Sequence, residues 1–217
     1  LDLTGDLHRR ADGGIIKKSE KGGDLVAKSN YEITRDRVRG SFLQYDQTKM
    51  IQKFGLRHDE NTLSIELMAR EHRIDRKTGV ITWSDDGFLT SAEADFDSSL
   101  TIYDVLCDSK PDCHLSGRYG TLSMLRGTVK SGGPGLELFQ PAADAFNGRL
   151  SALRAACARF GTPLKLSGDA AFLLRPFPFL PVILQFWQAE EDFPANLKFM
   201  FDENITDFMR YETIFYL

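Results

Sequence analysis

Four carboxylates in the last third of the chain are the first residues that could do chemistry. Glu190, Glu191 and Asp192 connect two apolar runs, and Asp169 opens the first of three predicted strands. In an up-down-up meander, all four would lie at one end of the sheet. Such an acidic cluster binds a hard cation, or raises the pKa of one carboxyl group for general acid work. We favour the alternative, a solvated turn whose charges discourage aggregation, because nothing fixes the carboxylates on rigid elements.

Asp202 cannot belong to this acidic cluster. It ends a predicted strand whose rise of about 3.3 Å per residue places it about 20 Å from the acidic turn. A glycosidase-type carboxylate pair needs a separation below about 10 Å, which excludes Asp202 with Asp192. We predict that Asp202 or Asn204 caps the helical segment that follows.

Three cysteines and four histidines could supply metal ligands or a nucleophile, but they are too few for a disulfide framework and include no CxxC pair. Cys113 and His114 lie near Cys107 in the sequence, yet adjacent side chains of an extended segment point in opposite directions. We therefore predict no metal site there. Cys157 falls on the apolar stripe of a predicted helix and is interpreted as a buried small hydrophobic residue.

Aromatic residues form the third candidate site. Trp187, Phe177 and Phe179 could line a hydrophobic ligand pocket, with the polar ends of Gln185 and Tyr103 placing a ligand. The chain has 16 phenylalanines, however, and most of them must fill the core. We favour core packing and keep the five residues as a candidate pocket.

The glycine-rich stretch "GTVKSGGPG" at residues 127–135 suggests a phosphate-binding loop, but its pattern does not fit. Val129 and Met124 occupy the two positions where that motif has glycine, and no buried strand precedes it. We interpret the stretch as a flexible connection.

Hydrophobic periodicity predicts the elements that position these residues. Leu63, Ile65 and Leu67 alternate with polar residues, which indicates a half-exposed β-hairpin over 62–83. Helical spacing appears over 31–54, around 98–106 and over 141–160, and the chain ends in helical turns after residue 204. Continuous apolar runs predict three strands at 169–175, 181–188 and 196–201. The fold class is therefore α+β: a mainly antiparallel sheet with a C-terminal three-strand meander, packed by helices.

Composition bounds the remaining questions. The 217 residues are 42% hydrophobic and 27% charged, as expected of a soluble globular chain. We predict an irregular extension at 1–29 and a single domain at 30–217. The net charge of -4 disfavours nucleic acid as a partner, and the densest apolar stretch is too short to cross a membrane. Few cysteines favour a reducing, cytoplasmic location, and the apolar strands leave a homo-oligomer possible.

The stretch "GDAAFLLRPFPFLPVILQFWQAEEDFPANLKFMFDENITDF" resembles the family called domain of unknown function 3786. The shared features are an aspartate before the first strand, a Pro-x-x-Pro entry to the next, a tryptophan strand with an acidic tip, and "FD" before helical turns. "LTIYDVLCDSKPDCHLSGRYG" is similar upstream, so the resemblance spans 30–217. Arg210 and Tyr211 depart from the leucine-proline expected before Glu212. The resemblance implies a soluble bacterial or archaeal protein, mostly from anaerobes, with no established activity.

Two hypotheses of function follow. The first is a non-catalytic module that binds a small ligand or a protein, since the sequence has abundant aromatics and no nucleophile, metal or nucleotide motif. The alternative is a metal-dependent enzyme that uses the acidic cluster. The cofactor, the ligand and any protein partner stay unknown at this stage.

Overall fold

The computed structural model describes residues 29–125 and 139–217. The predicted N-terminal extension, apart from Ser29, and the glycine-rich stretch at 127–135 lie outside these residues. The described chain contains helices α1 (Asn30–Phe42), α2 (Gln47–Phe54), α3 (Phe96–Asp108), α4 (Gln140–Phe146), α5 (Leu150–Cys157) and α6 (Ile205–Phe208). Short 3-10 helices lie at Leu122–Met124 and Tyr211–Tyr216, and the second is called the C-terminal 3-10 helix.

Two antiparallel sheets of five strands each accompany these helices. The first sheet follows chain order: β1 (Arg57–His58), β2 (Thr62–Leu67), β3 (Arg70–Asp75), β4 (Ile81–Ser84) and β5 (Ala92–Glu93). The second has the order β6-β10-β9-β8-β7: β6 (Tyr119–Gly120), β7 (Gly161–Pro163), β8 (Ala170–Phe177), β9 (Leu180–Trp187) and β10 (Asn196–Asp202). The predicted α+β class is confirmed, and β8, β9 and β10 form the predicted meander.

Local sequence signals explain where several helices begin and end. Ser29 starts α1 with a capping box, in which its hydroxyl accepts from the Glu32 amide at 3.2 Å and the Glu32 carboxylate accepts from the Ser29 amide at 2.7 Å. The single helix that we predicted over 141–160 is wrong, because the chain breaks it into α4 and α5. Gly148 has φ +69 in this break, a backbone conformation that favours glycine.

The first sheet has one buried face and one solvated face, as the alternation predicts. Leu63, Ile65 and Leu67 are buried, whereas Ser64 and Glu66 between them point to the other side. The sequence did not predict the end of β2. The chain turns back at Met68 and Ala69, so that Leu67 pairs with Arg70.

The core has two parts. The larger cluster joins the inner face of the first sheet, helix α3, α6 and part of the second sheet. The smaller cluster lies between α4, α5 and the second sheet, and Phe139 and Phe199 pack against both clusters. Among helices of the described residues, none has the length and apolarity that a membrane span requires.

Candidate ligand-binding cavity

A cavity of about 310 Å³ lies where the two parts of the core meet. Helices α4 and α5 form one wall, through residues such as Phe146 and Leu153, and the second sheet forms the facing wall, through Leu184 and Phe199. The C-terminal 3-10 helix closes a further side with Ile214. Every described residue that lines the cavity is apolar or carries a thiol. The volume lies at the lower end of the range of about 300–1,000 Å³ that small-molecule pockets occupy.

Polar contacts outside the cavity hold the helical wall at its distance from the sheet. The side-chain amide of Gln140 donates to the Ala195 carbonyl at 3.1 Å, and Asn147 accepts from the Ala189 amide at 3.1 Å. On α5, the Arg154 guanidinium donates to the carbonyl of Asp169 at 2.7 Å. These contacts fix α4 at both ends and α5 near its middle, while the apolar side chains of both helices face the cavity.

The mouth of the cavity is apolar as well. Met68 and Phe215 line it and expose 43% and 46% of their surface, respectively. The amide of Met68 donates to the Pro176 carbonyl at 2.7 Å, which ties the β2–β3 turn of the first sheet to β8 of the second. Strand β8 is irregular at this point, because its pairing with β9 shifts register between Leu174 and Phe177. Both sheets therefore meet at the mouth.

Among the described lining residues, Cys157 alone has an ionisable side chain. It is 4% exposed, and burial raises the pKa of its thiol to about 11. The thiol is therefore protonated near neutral pH and is a poor nucleophile. The prediction that Cys157 is a buried hydrophobic residue of the helical stripe is confirmed by its place in the smaller core cluster.

The sequence profile of the family described as a domain of unknown function (DUF3786) matches residues 46–217. The chain belongs to the DUF3786 family. Neither a curated protein nor a solved structure matches it significantly. The match begins at Asp46, the N-cap of α2, and the cavity-lining residues all fall inside the DUF3786 region.

The acidic cluster lies elsewhere in the DUF3786 region, at the outer end of the meander. The Asp169 carboxylate accepts from the Gln188 amide at 2.7 Å, and therefore joins the beginning of β8 to the end of β9. Glu190 and Phe193 close a tight turn through two backbone hydrogen bonds of 3.0 and 3.1 Å. Glu190, Glu191 and Asp192 are exposed. No group of three or more potential metal ligands is found among residues 29–125 and 139–217. The solvated turn stays the prediction, and metal-dependent catalysis by this cluster stays the alternative hypothesis.

The five residues of the predicted aromatic pocket are divided between separate places. Phe177 and Tyr103 are buried in the larger core cluster, and Phe179 packs against it, with its ring stacked 5.2 Å from that of Phe177. Gln185 and Trp187 occupy alternate positions of β9 and therefore lie on the face of the second sheet opposite the cavity. The structure does not bring the five together, and none of them is among the described lining residues.

Polar contacts explain two of these positions. The Tyr103 hydroxyl donates to the Gly79 carbonyl at 2.6 Å, and burial raises the pKa of this hydroxyl. The Gln185 amide donates to the carbonyl of Ser167 at 3.0 Å. The Tyr103 hydroxyl and the Gln185 amide therefore both donate to backbone carbonyls within the protein.

The remaining thiols lie around the end of α3 in the DUF3786 chain. Burial, and then the nearby Asp108, raise the pKa of Cys107 to about 12, and burial also raises the pKa of Cys113. His114 follows in the loop, where its Nδ1 lies 3.0 Å from the Asp112 carbonyl. Neither thiol is activated as a nucleophile in this environment.

A wider cleft of about 660 Å³ lies between α2 and the end of α3. Its lysines are already engaged: Lys53 donates to the carbonyl and hydroxyl of Ser109 at 2.9 and 2.8 Å, and Lys49 lies 3.8 Å from Asp46. The cleft mixes polar and charged side chains with Met50, Leu106 and Pro111, so its lining is less uniformly apolar than that of the cavity.

Proposed function

We propose that this DUF3786 chain is a non-catalytic module that binds a small, mainly apolar ligand in the cavity between α4, α5 and the second sheet. The observation that supports it is the apolar volume of about 310 Å³ with an apolar mouth. Small-molecule pockets are typically concave and lined mostly by apolar side chains, as this cavity is.

The chemistry of the walls favours binding over catalysis. A reaction would require an acid, a base, a nucleophile or hydrogen-bond donors aimed at developing charge. Among the side chains of the described lining residues, only the Cys157 thiol could take such a role, and burial keeps it protonated. A ligand in this cavity is therefore held and shielded from water. A charged group inside the cavity would lose its hydration without a partner, so the ligand is uncharged over the part that enters.

Two adjacent alanines of α5 allow a matched test. Ala155 and Ala156 are both exposed, but Ala156 lines the cavity and Ala155 does not. In Ala156→Phe the added ring occupies cavity volume, and in Ala155→Phe it points elsewhere. We expect the wild type and Ala155→Phe to bind N-phenylnaphthylamine, an uncharged fluorescent probe, and Ala156→Phe to bind it at least about tenfold more weakly, a difference of about 1.4 kcal/mol.

The probe is titrated against folded protein, and circular dichroism verifies that all three proteins have the same helix and strand content. Ala142→Phe, which adds a ring from α4, repeats the test from the other helix of the wall. Equal affinity of the wild type and both cavity-filling variants would refute the assignment of the site. A cytoplasmic location and the absence of nucleic-acid and membrane partners belong to the same proposal, and they are supported by the charge and composition of the chain.

A further inference from the structure

The turn between β2 and β3 has an unusual combination of backbone and side chain. Leu67 pairs with Arg70, so Met68 and Ala69 form a two-residue hairpin loop, and their φ angles are +54 and +58. Such a loop strongly prefers Asn-Gly, Asp-Gly or Gly-Gly, because side chains with a Cβ are disfavoured at positive φ. Among the described residues, Phe88 is the one other non-glycine residue with a positive φ. Here the local backbone preference is violated twice in succession.

The environment holds the strained turn in one position. The Met68 amide donates to the Pro176 carbonyl at 2.7 Å, and this bond reaches the irregular part of β8. Met68 is nevertheless 43% exposed, and its side chain lines the cavity. A half-exposed methionine gains little from core packing. Strained backbone that persists against local preference is concentrated at functional sites.

We propose that Met68 is a ligand-contacting residue at the mouth of the cavity, and that the Met68–Ala69 turn keeps its strained backbone because this conformation brings the Met68 side chain to the mouth. This inference rests on the proposed function. Methionine suits the position, since its flexible and polarisable side chain adapts to apolar surfaces of different shape. Phe215, 46% exposed, forms another part of the mouth with an aromatic ring.

The inference predicts opposite effects on stability and on binding. Met68→Asn replaces the methionine with a residue that tolerates positive φ, and it leaves the backbone bond to Pro176 in place. We expect this variant to have an unchanged or higher urea midpoint, but to bind N-phenylnaphthylamine about tenfold more weakly. If Met68 had only a structural role, Met68→Asn would not lower the probe affinity while leaving the urea midpoint unchanged or higher.

Two further variants serve as controls. Ala69→Gly relieves backbone strain without touching a residue that lines the cavity, so its urea midpoint should rise and its probe affinity should stay within about twofold of the wild type, about 0.4 kcal/mol. Met68→Leu keeps an apolar side chain, so it should retain probe affinity within about threefold, without a rise in the midpoint.

The outcomes separate this inference from the proposed function. If the wild type binds the probe and Ala156→Phe does not, but Met68→Asn binds as tightly as the wild type, Met68 is not a ligand contact and the inference alone fails. A lower urea midpoint in Met68→Asn would show that Met68 is retained for packing, which also overturns it. If the wild type neither binds the probe nor carries a small molecule from purification, both proposals fail together.

Discussion

The β2–β3 turn allows a stability prediction in which one substitution has opposite effects at two positions. Ala69 has φ +58 in the two-residue turn, whereas Ala155 is an exposed residue inside helix α5. Replacement by glycine removes the Cβ at both positions and increases the conformational freedom of the unfolded chain equally. The two variants therefore differ in what glycine does to the native backbone.

The magnitudes follow from these backbone conformations. An L-residue in the left-handed region costs about 1–2 kcal/mol, which Ala69→Gly recovers. The greater conformational entropy of glycine in the unfolded chain offsets about 0.4–1 kcal/mol of this gain. The free energy of unfolding of Ala69→Gly should therefore rise by about 0.5–1 kcal/mol. Ala155→Gly should lower it by about 1 kcal/mol, the helix-propensity difference between alanine and glycine. The two variants should thus differ by about 1.5–2 kcal/mol.

Urea denaturation followed by circular dichroism measures this difference, provided that the dependence on urea concentration is the same in both variants. For a chain of this size, the difference corresponds to melting temperatures separated by about 3–8 °C. If Ala69→Gly and Ala155→Gly lowered the free energy of unfolding by similar amounts, the turn would not have the left-handed backbone that the proposed role of Met68 requires.

Three further predictions concern buried groups. Leu153→Ala, at a 2% exposed position that lines the cavity, should lower the free energy of unfolding by about 3–4 kcal/mol in urea denaturation, and saturating N-phenylnaphthylamine should restore part of the loss. Asp202 is fully buried and accepts hydrogen bonds from three backbone amides, so Asp202→Ala should lower the free energy of unfolding by about 3 kcal/mol. Asp192→Ala, in the exposed acidic turn, should change it by less than about 0.5 kcal/mol. Equal losses in the two variants would contradict this prediction. Burial lowers the pKa of His72 below 6.5, so the unfolded chain binds the proton more tightly than the folded protein does. The contribution of His72 to the free energy of unfolding is therefore fully present above pH 6.5 and is lost as the pH falls below 6.5. His72→Gln should show a smaller loss of stability between pH 7 and 5 than the wild type does.

Sequence patterns predicted much of the fold where the signal is local. The apolar runs near residues 170, 182 and 197 became β8, β9 and β10 because continuous apolar strands are stable in a sheet with a covered face. The break between α4 and α5 was missed although Asn147 and Gly148 mark it, because the apolar spacing from Phe146 to Leu150 continues across the break.

The Met68–Ala69 turn and the cavity could not be predicted from the sequence for different reasons. The turn has neither glycine nor asparagine, so no local signal distinguishes it from the middle of a strand. The cavity depends on the distance between a helical wall and a sheet, which contacts such as that from Gln140 to Ala195 determine across 55 residues. The same apolar residues would fill a core if the helices lay closer to the sheet. The sequence therefore identified the stripe that contains Leu153 and Cys157, but not the volume beside it.

The central claim is that the cavity holds a small apolar ligand. The most direct measurement is the native mass of the protein compared with its denatured mass, first as purified and then after incubation with excess N-phenylnaphthylamine. We predict that the wild type and Ala155→Phe carry a single small molecule, either a natural ligand or the probe, which is lost on denaturation. At the same probe concentration, a much smaller fraction of Ala156→Phe should carry it. Identical native and denatured masses for the wild type after incubation, or an equal bound fraction on Ala156→Phe, would contradict the account.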